Sequence, residues 1–133
     1  MSRYLRIENL PSYQGEDCKF KYILTDFDSA NRIVDRQEGK WVTAIDGRHA
    51  WGTDGNLPKI QVSGVKINID HKEILIQDVF YRDIYECTNR FAIYRNNNTY
   101  FIYQANSDGA GYYQIVWVLT RDGLQQRLVG TII

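Results

Sequence analysis

The fold is decided by residues 91–130, which read FAIYRNNNTYFIYQANSDGAGYYQIVWVLTRDGLQQRLVG. Four apolar runs alternate here with turn signals at residues 96–98, 106–111 and 122–123. Asn tolerates the left-handed backbone that tight hairpins need, and Asp-Gly is a favoured hairpin corner. The spacing therefore predicts a continuous four-strand antiparallel meander at the C-terminal end of the sequence.

The third strand of this meander is apolar on both faces. Ile115, Trp117 and Leu119 share one face and Val116 and Val118 share the other, because side chains alternate along a strand. Such a strand is usually central in its sheet and covered on both sides. We therefore expect Trp117 to be buried, and residues 1–90 to supply the outer layer.

The rest of the sequence adds strands and one candidate helix. Further strands are predicted at 18–24, 41–45, 65–69 and 73–80, the last two joined by a turn at 70–72. Residues 28–38 predict a helix, since Asp28 or Ser29 can cap it and Ile33 and Val34 can face the core, with a surface loop as the alternative because the apolar stripe is thin.

These elements define the predicted fold class. It is mostly β, an antiparallel sandwich or partly closed barrel with a C-terminal four-strand meander and at most one short helix. Residues 1–133 are expected to form a single domain, because a chain of 133 residues can bury one sizeable core.

Composition and charge exclude several classes of function. The 16 Lys and Arg residues balance the 16 Asp and Glu residues, which argues against direct binding to nucleic acid or to an anionic membrane. No apolar stretch is long enough to span a membrane, and residues 1–10 lack the apolar run of a signal peptide. A cytoplasmic location is predicted, and Cys18 and Cys87 are expected to be free thiols.

Motifs for catalysis, cofactors and metal ions do not occur in the sequence. There is no P-loop, GxGxxG, GxSxG, HExxH, CxxC or EF-hand pattern. No catalytic residue, cofactor or metal site is therefore predicted, and the chain is interpreted as a binding protein rather than an enzyme.

An acidic segment with aromatic neighbours is the first candidate partner surface. Residues 68–89 carry five acidic and two basic side chains, a net charge of −3. Such a segment can attract a basic protein partner, although it is also typical of a solvated face. The candidate binding residues in it are Asp78, Phe80, Tyr81, Asp83, Tyr85 and Glu86.

A glycine-rich loop at residues 46–58 is the second candidate surface. It contains Gly47, Gly52 and Gly55 together with the candidate binding residues His49, Trp51 and Asp54. Trp51 can be an exposed anchor for a partner. In the simpler interpretation, the glycines serve turns, the Trp51 ring packs onto the core and His49 is solvated.

The segment 112–130, YYQIVWVLTRDGLQQRLVG, resembles the C-terminal hairpins of small immunity proteins that accompany bacterial toxins. The resemblance covers about the last third of the chain. It implies a cytosolic inhibitor that binds one cognate toxin domain, of the nuclease type, and has no catalytic residues of its own. The oligomeric state stays open.

Two alternative functions belong to other classes. The first is a small hydrolase or nuclease that uses His49 and His71, which requires both histidines in one cleft, or a barrel with a pocket lined by tryptophans. Those tryptophans are Trp41, Trp51 and Trp117.

The second alternative is a binder of small ligands or carbohydrates at the glycine-rich loop. In this case an exposed Trp51 would stack on a sugar ring beside Asp54 and Asn56, in a concave aromatic pocket.

Overall fold

Nine strands account for most of the computed structural model, which describes residue 13, residues 15–106 and residues 109–131. Two single-turn 3-10 helices lie at Asp78–Phe80 and Gly109–Gly111. The strands are β1 (Cys18–Asp26), β2 (Val34–Gln37), β3 (Trp41–Ile45), β4 (Ile60–Ile69), β5 (Lys72–Ile74), β6 (Ala92–Asn96), β7 (Thr99–Asn106), β8 (Tyr113–Thr120) and β9 (Gly123–Gly130).

The predicted C-terminal meander is confirmed. Strands β6 to β9 form one antiparallel sheet in sequence order. Asn97 takes the expected left-handed backbone with φ 55°, whereas the last turn lies one residue early, so that Gly123 begins β9 with φ 128°. Residues 107 and 108 of the predicted turn at 106–111 lie outside the described residues.

A second sheet has the order β1-β4-β5. Its β4–β5 turn is formed by Asp70 and His71, both with positive φ (51° and 66°), and Lys72 already begins β5. The strand predicted at 73–80 is wrong beyond Ile74, because the chain turns into the 3-10 helix where Phe80 N donates to Gln77 O at 3.1 Å.

The helix predicted at residues 28–38 is wrong. Its apolar stripe is too thin to hold a helix on the core: Asp28 bonds the amide of Ala30 in a local turn, and Ile33 stays exposed. Residues 34–37 instead pair with β3 as a hairpin. Within the described residues, no helix is long and apolar enough to cross a membrane.

The main core lies between the two sheets. It joins Tyr22 and Ile67 from the β1-β4-β5 sheet with Trp117 from the meander, as in a sandwich that is not closed into a barrel. The opposite face of β8, with Val116 and Val118, is also buried as predicted, and the described side chains in that cluster come from the meander itself.

Both cysteines are buried and unpaired, as predicted. Burial raises the pKa of Cys18 to about 11 and that of Cys87 to about 12. Since the thiolate is the reactive form, neither thiol is activated as a nucleophile at neutral pH.

Candidate functional site

The two regions chosen as candidate surfaces are neighbours in space. Trp51 N donates to Asp83 O at 2.9 Å, and Tyr85 N donates to Trp51 O at 2.8 Å. Trp51 and Ile84 thereby form a parallel β-bridge between the glycine-rich loop and the acidic segment. The structure thus brings the two segments together, although 32 residues separate Trp51 from Asp83 in the sequence.

Asp83 is buried in an arginine clamp rather than presented to solvent. Its carboxylate accepts two bonds from Arg127, at 2.6 and 3.0 Å, and one from Arg48 at 2.9 Å. Bidentate arginine–carboxylate pairs of this kind are strong and directional. Asp83 therefore joins β9 to the glycine-rich loop, and a partner cannot reach its carboxylate.

Tyr85 and Glu86 also serve the fold. The Tyr85 ring is buried, its hydroxyl donates to Arg82 O at 2.9 Å, and burial raises its pKa. One Glu86 carboxylate oxygen accepts the backbone amides of Lys59 at 2.6 Å and Ile60 at 2.8 Å, where β4 begins. These bonds satisfy two backbone amides, so the Glu86 carboxylate is engaged by the backbone.

Two of the five acidic side chains in the acidic segment are paired with arginines from elsewhere in the chain. Asp70 pairs with Arg121, and Asp83 pairs with Arg48 and Arg127. These three arginines lie outside residues 68–89 and together match the segment's net charge of −3. Asp70 and Asp83 are therefore neutralised within the molecule, which weakens the attraction of a basic partner, whereas Glu73 and Asp78 stay exposed.

The candidate residues on the 3-10 helix differ in exposure. Asp78 and Phe80 are exposed, whereas Tyr81 is half-buried against the main core. Arg48 donates to Val79 O at 2.7 Å and Arg127 donates to Phe80 O at 2.8 Å. The helix is consequently held in a fixed position by the same two arginines that clamp Asp83.

In the glycine-rich loop, Trp51 is half-buried and packs against the main core. The centroid of its ring lies 4.3 Å from the ring centroid of the exposed His49 and 6.3 Å from that of Tyr113. Asp54 is exposed and accepts a bond from Asn56 at 3.3 Å. Trp51 thus packs at the margin of the main core and is half-buried, rather than exposed as the carbohydrate alternative expects.

The two histidines lie at opposite ends of β4. His49 contacts Trp51, and Trp51 forms a β-bridge with Ile84. The next residue, Tyr85, pairs with Gln61 at the start of β4. His71 follows the last residue of that ten-residue strand. At ~3.3 Å per residue the strand separates them by roughly 25–30 Å. The two-histidine site that the hydrolase alternative requires is not assembled.

The three tryptophans do not line one pocket either. Trp117 is completely buried in the main core, and Trp51 lies at its margin. Trp41 is outside that core and 53% exposed.

Trp41 is a candidate partner-binding residue that the sequence did not indicate. Its ring lies on Gly55, where an added Cβ would be 2.8 Å from Trp41 Cε3, and Val42 N donates to Gly55 O at 2.9 Å. Gly55 also has φ 102°, which disfavours any other residue. The sequence carried little signal for this position, because the alternation in WVTAI places Trp41 on the face of the exposed Thr43 but also of the buried Ile45.

Exposed side chains from the loop adjoin the Gly55 contact. Leu57 is a large exposed apolar residue, and Asp54 and Asn56 are exposed polar ones. We refer to Trp41, Asp54, Asn56 and Leu57 as the Trp41 surface. An exposed aromatic and an aliphatic side chain beside polar ones match the anatomy of a protein-binding patch.

Asp46, at the start of the glycine-rich loop, forms an ion pair with Arg32. The contribution of Asp46 to the free energy of unfolding can be measured. The backbone amide of Ile33 donates to the Asp46 carboxylate at 2.9 Å and Arg32 Nε at 2.5 Å, and these bonds lower its pKa. Asp46→Asn keeps the shape and removes the charge, so we expect a loss of about 1–2 kcal/mol in the free energy of unfolding at pH 7.

This loss should depend on pH. Because the folded-state pKa is lowered, the carboxylate contributes stability above its unfolded pKa of about 4, and the contribution disappears as the pH falls through the folded pKa. Urea unfolding of both proteins at pH 7 and near pH 3 checks this. The difference in free energy of unfolding between wild type and Asp46→Asn should be smaller near pH 3 than at pH 7. A difference of the same size at both pH values would contradict the assignment.

Among the described residues, no group of three or more His, Cys, Asp or Glu side chains is arranged to hold a metal ion. Comparison of the chain with models of known families, with curated proteins and with solved structures gives no match.

Proposed function

We propose that this chain is a non-catalytic protein-binding module whose partner binds at the Trp41 surface. The observation that carries the proposal is the 53% exposure of Trp41, fixed in place by its contact with Gly55. Trp is the residue type most enriched among binding hot spots, and its large rigid ring loses little entropy on binding.

The surface around Trp41 supports the same interpretation. Trp41 belongs to the β2–β3 hairpin, which has its own small core of Val42, Ile45, Ala50 and Tyr85. The hairpin is therefore a rigid platform rather than a loose arm. Holding an exposed anchor rigidly reduces the entropy that binding must overcome.

The resemblance of the C-terminal hairpins to immunity proteins suggests the kind of partner. In this proposal the partner is a cognate toxin domain, the chain acts in the cytoplasm, and inhibition results from binding alone. The proposal does not rely on attraction by the acidic segment, because Asp83 in that segment is already bound by Arg48 and Arg127.

Trp41→Ala is expected to weaken partner binding by about 2 kcal/mol or more, roughly thirtyfold, if Trp41 is the anchor. Ile23→Ala is the control, since Ile23 is also an exposed apolar strand residue but lies on β1. Tagged wild-type and variant proteins are used to capture partners from a lysate of the native cells, with quantitative mass spectrometry.

The partner should be retained by wild type and Ile23→Ala and depleted by Trp41→Ala. The purified pair then gives the dissociation constants, and expression of the partner in cells shows whether it is toxic and whether this chain rescues growth. Equal capture by all three proteins would refute the Trp41 surface. Turnover of a nucleic-acid or glycan substrate that His49→Ala or His71→Ala abolishes would refute a non-catalytic function.

A further inference from the structure

The outermost strands of the two large sheets are β1, β5, β6 and β9, and three of them are protected against pairing with another chain. The edge of β1 is occupied by the Asn89 amide, which accepts from Tyr22 N at 2.7 Å and donates to Tyr22 O at 3.0 Å. On β6, Ile93 O accepts from Tyr13 N at 2.8 Å, and β5 has only three residues. Covered or very short edges are the usual ways in which proteins prevent unwanted strand pairing.

Among the described residues, none of these protections is found on strand β9. It is eight residues long and contains neither Pro nor Lys. Within the described part of the chain, its backbone groups bond only to β8, apart from Gly123 O, which the strand's own Gln125 side chain reaches at 3.3 Å. A register shift near its start leaves residues 126–130 regularly paired on the inner side. Five regular residues are enough to template another strand.

The charge pattern of β9 also permits pairing with an identical strand. Its single charged residue is Arg127, whose guanidinium is bound by Asp83. Two copies of this edge would therefore meet without the repulsion that exposed lysines on edge strands normally provide.

Three large exposed apolar side chains follow β5 in the sequence. Leu75 is 83% exposed, and Val79 and Phe80 are also large exposed apolar residues. We call these three residues the Leu75 shelf. Arg127 on β9 donates to Phe80 O at 2.8 Å, and Arg121 before β9 pairs with Asp70 before β5, so Phe80 and the β4–β5 turn both lie beside β9.

We propose that the β9 edge and the Leu75 shelf together bind a second copy of this chain. Antiparallel pairing of β9 with its copy would join the two meanders into one eight-stranded sheet. A two-fold axis normal to that sheet keeps the same face of both copies on the same side, so that the two shelves meet each other. One contact then satisfies both open edges and covers both Leu75 shelves.

A second copy fits this surface better than an unrelated partner. The edge is neutral, the shelf is apolar, and each finds an identical complement in the copy. The interface shares no residue with the Trp41 surface, so the inference stands independently of the proposed function.

Sedimentation velocity of the full chain tests the dimer over protein concentrations from about 1 µM to about 1 mM, a range that detects weak association. We expect a monomer–dimer equilibrium. Gln126→Lys places a charge on the exposed edge, and Leu75→Ser removes the most exposed shelf residue. Each should raise the dimer dissociation constant at least about tenfold.

Gln37→Lys is the matched control, because Gln37 is an exposed glutamine on β2. It should leave the dissociation constant unchanged. A chain that stays monomeric throughout, a dimer unaffected by both test variants, or assembly beyond a dimer would overturn the proposal. Leu75 is so exposed that its variant is expected to fold normally, which keeps the test valid if Gln126→Lys is unstable.

Discussion

Trp117→Ala should lower the free energy of unfolding by about 3–5 kcal/mol. The Trp117 ring is fully buried in the main core, and its Nε1 donates to the Tyr22 hydroxyl at 2.9 Å. Removing the ring leaves a large cavity between the sheets and a buried hydroxyl without this donor. Urea unfolding followed by circular dichroism measures the loss.

Trp41→Ala is the matched control for this change, since it deletes the same side chain from a position that is 53% exposed. Its effect on stability should stay below about 1 kcal/mol. Trp117→Phe keeps an aromatic ring and gives a measurable intermediate loss if the alanine variant does not fold. Equal effects at positions 117 and 41 would contradict the assignment of Trp117 to the core.

Asp83→Ala should be about as damaging, with a loss of about 3–5 kcal/mol, because it leaves the guanidinium of Arg127, whose side chain is only 13% exposed, without its counter-ion. Asp78→Ala is the control, since the exposed Asp78 carboxylate is 3.7 Å from Arg82 and should contribute less than about 1 kcal/mol. Both variants remove one negative charge from the same short segment, so the difference between them reports burial and geometry.

The Asp83/Arg127 double-mutant cycle separates the ion pair from the surrounding packing. If the pair acts as a unit, removing both side chains should cost clearly less than the sum of the single losses. Strictly additive losses would show that Asp83 is held by other contacts. If Asp83→Ala left the free energy of unfolding unchanged, Asp83 would again be a candidate residue for binding a partner.

The meander could be predicted from the sequence because its turns depend on adjacent residues. Asn97 and Gly123 take the unusual backbone angles that their residue types favour, and the alternation in β8 shows both buried faces. The helix at 28–38 could not be settled locally, since its few apolar residues compete with pairing of residues 34–37 to β3.

The candidate site was less predictable because it depends on distant contacts. Asp83 is neutralised by Arg48 and Arg127, which lie 35 and 44 residues away, so counting charges along residues 68–89 could not detect them. The tryptophans show the limit in part: the alternation in β8 predicted that Trp117 is buried, whereas the exposure of Trp41 and the half-burial of Trp51 depend on packing.

Hydrogen exchange of the chain alone and in complex with its captured partner tests most directly whether this is a protein-binding module that uses the Trp41 surface. Amides at residues 40–43 and 52–57 should exchange more slowly in the complex, whereas those of residues 18–24 on β1 should be unchanged. Protection confined to regions away from the Trp41 surface, or no protection anywhere in the chain, would contradict the account.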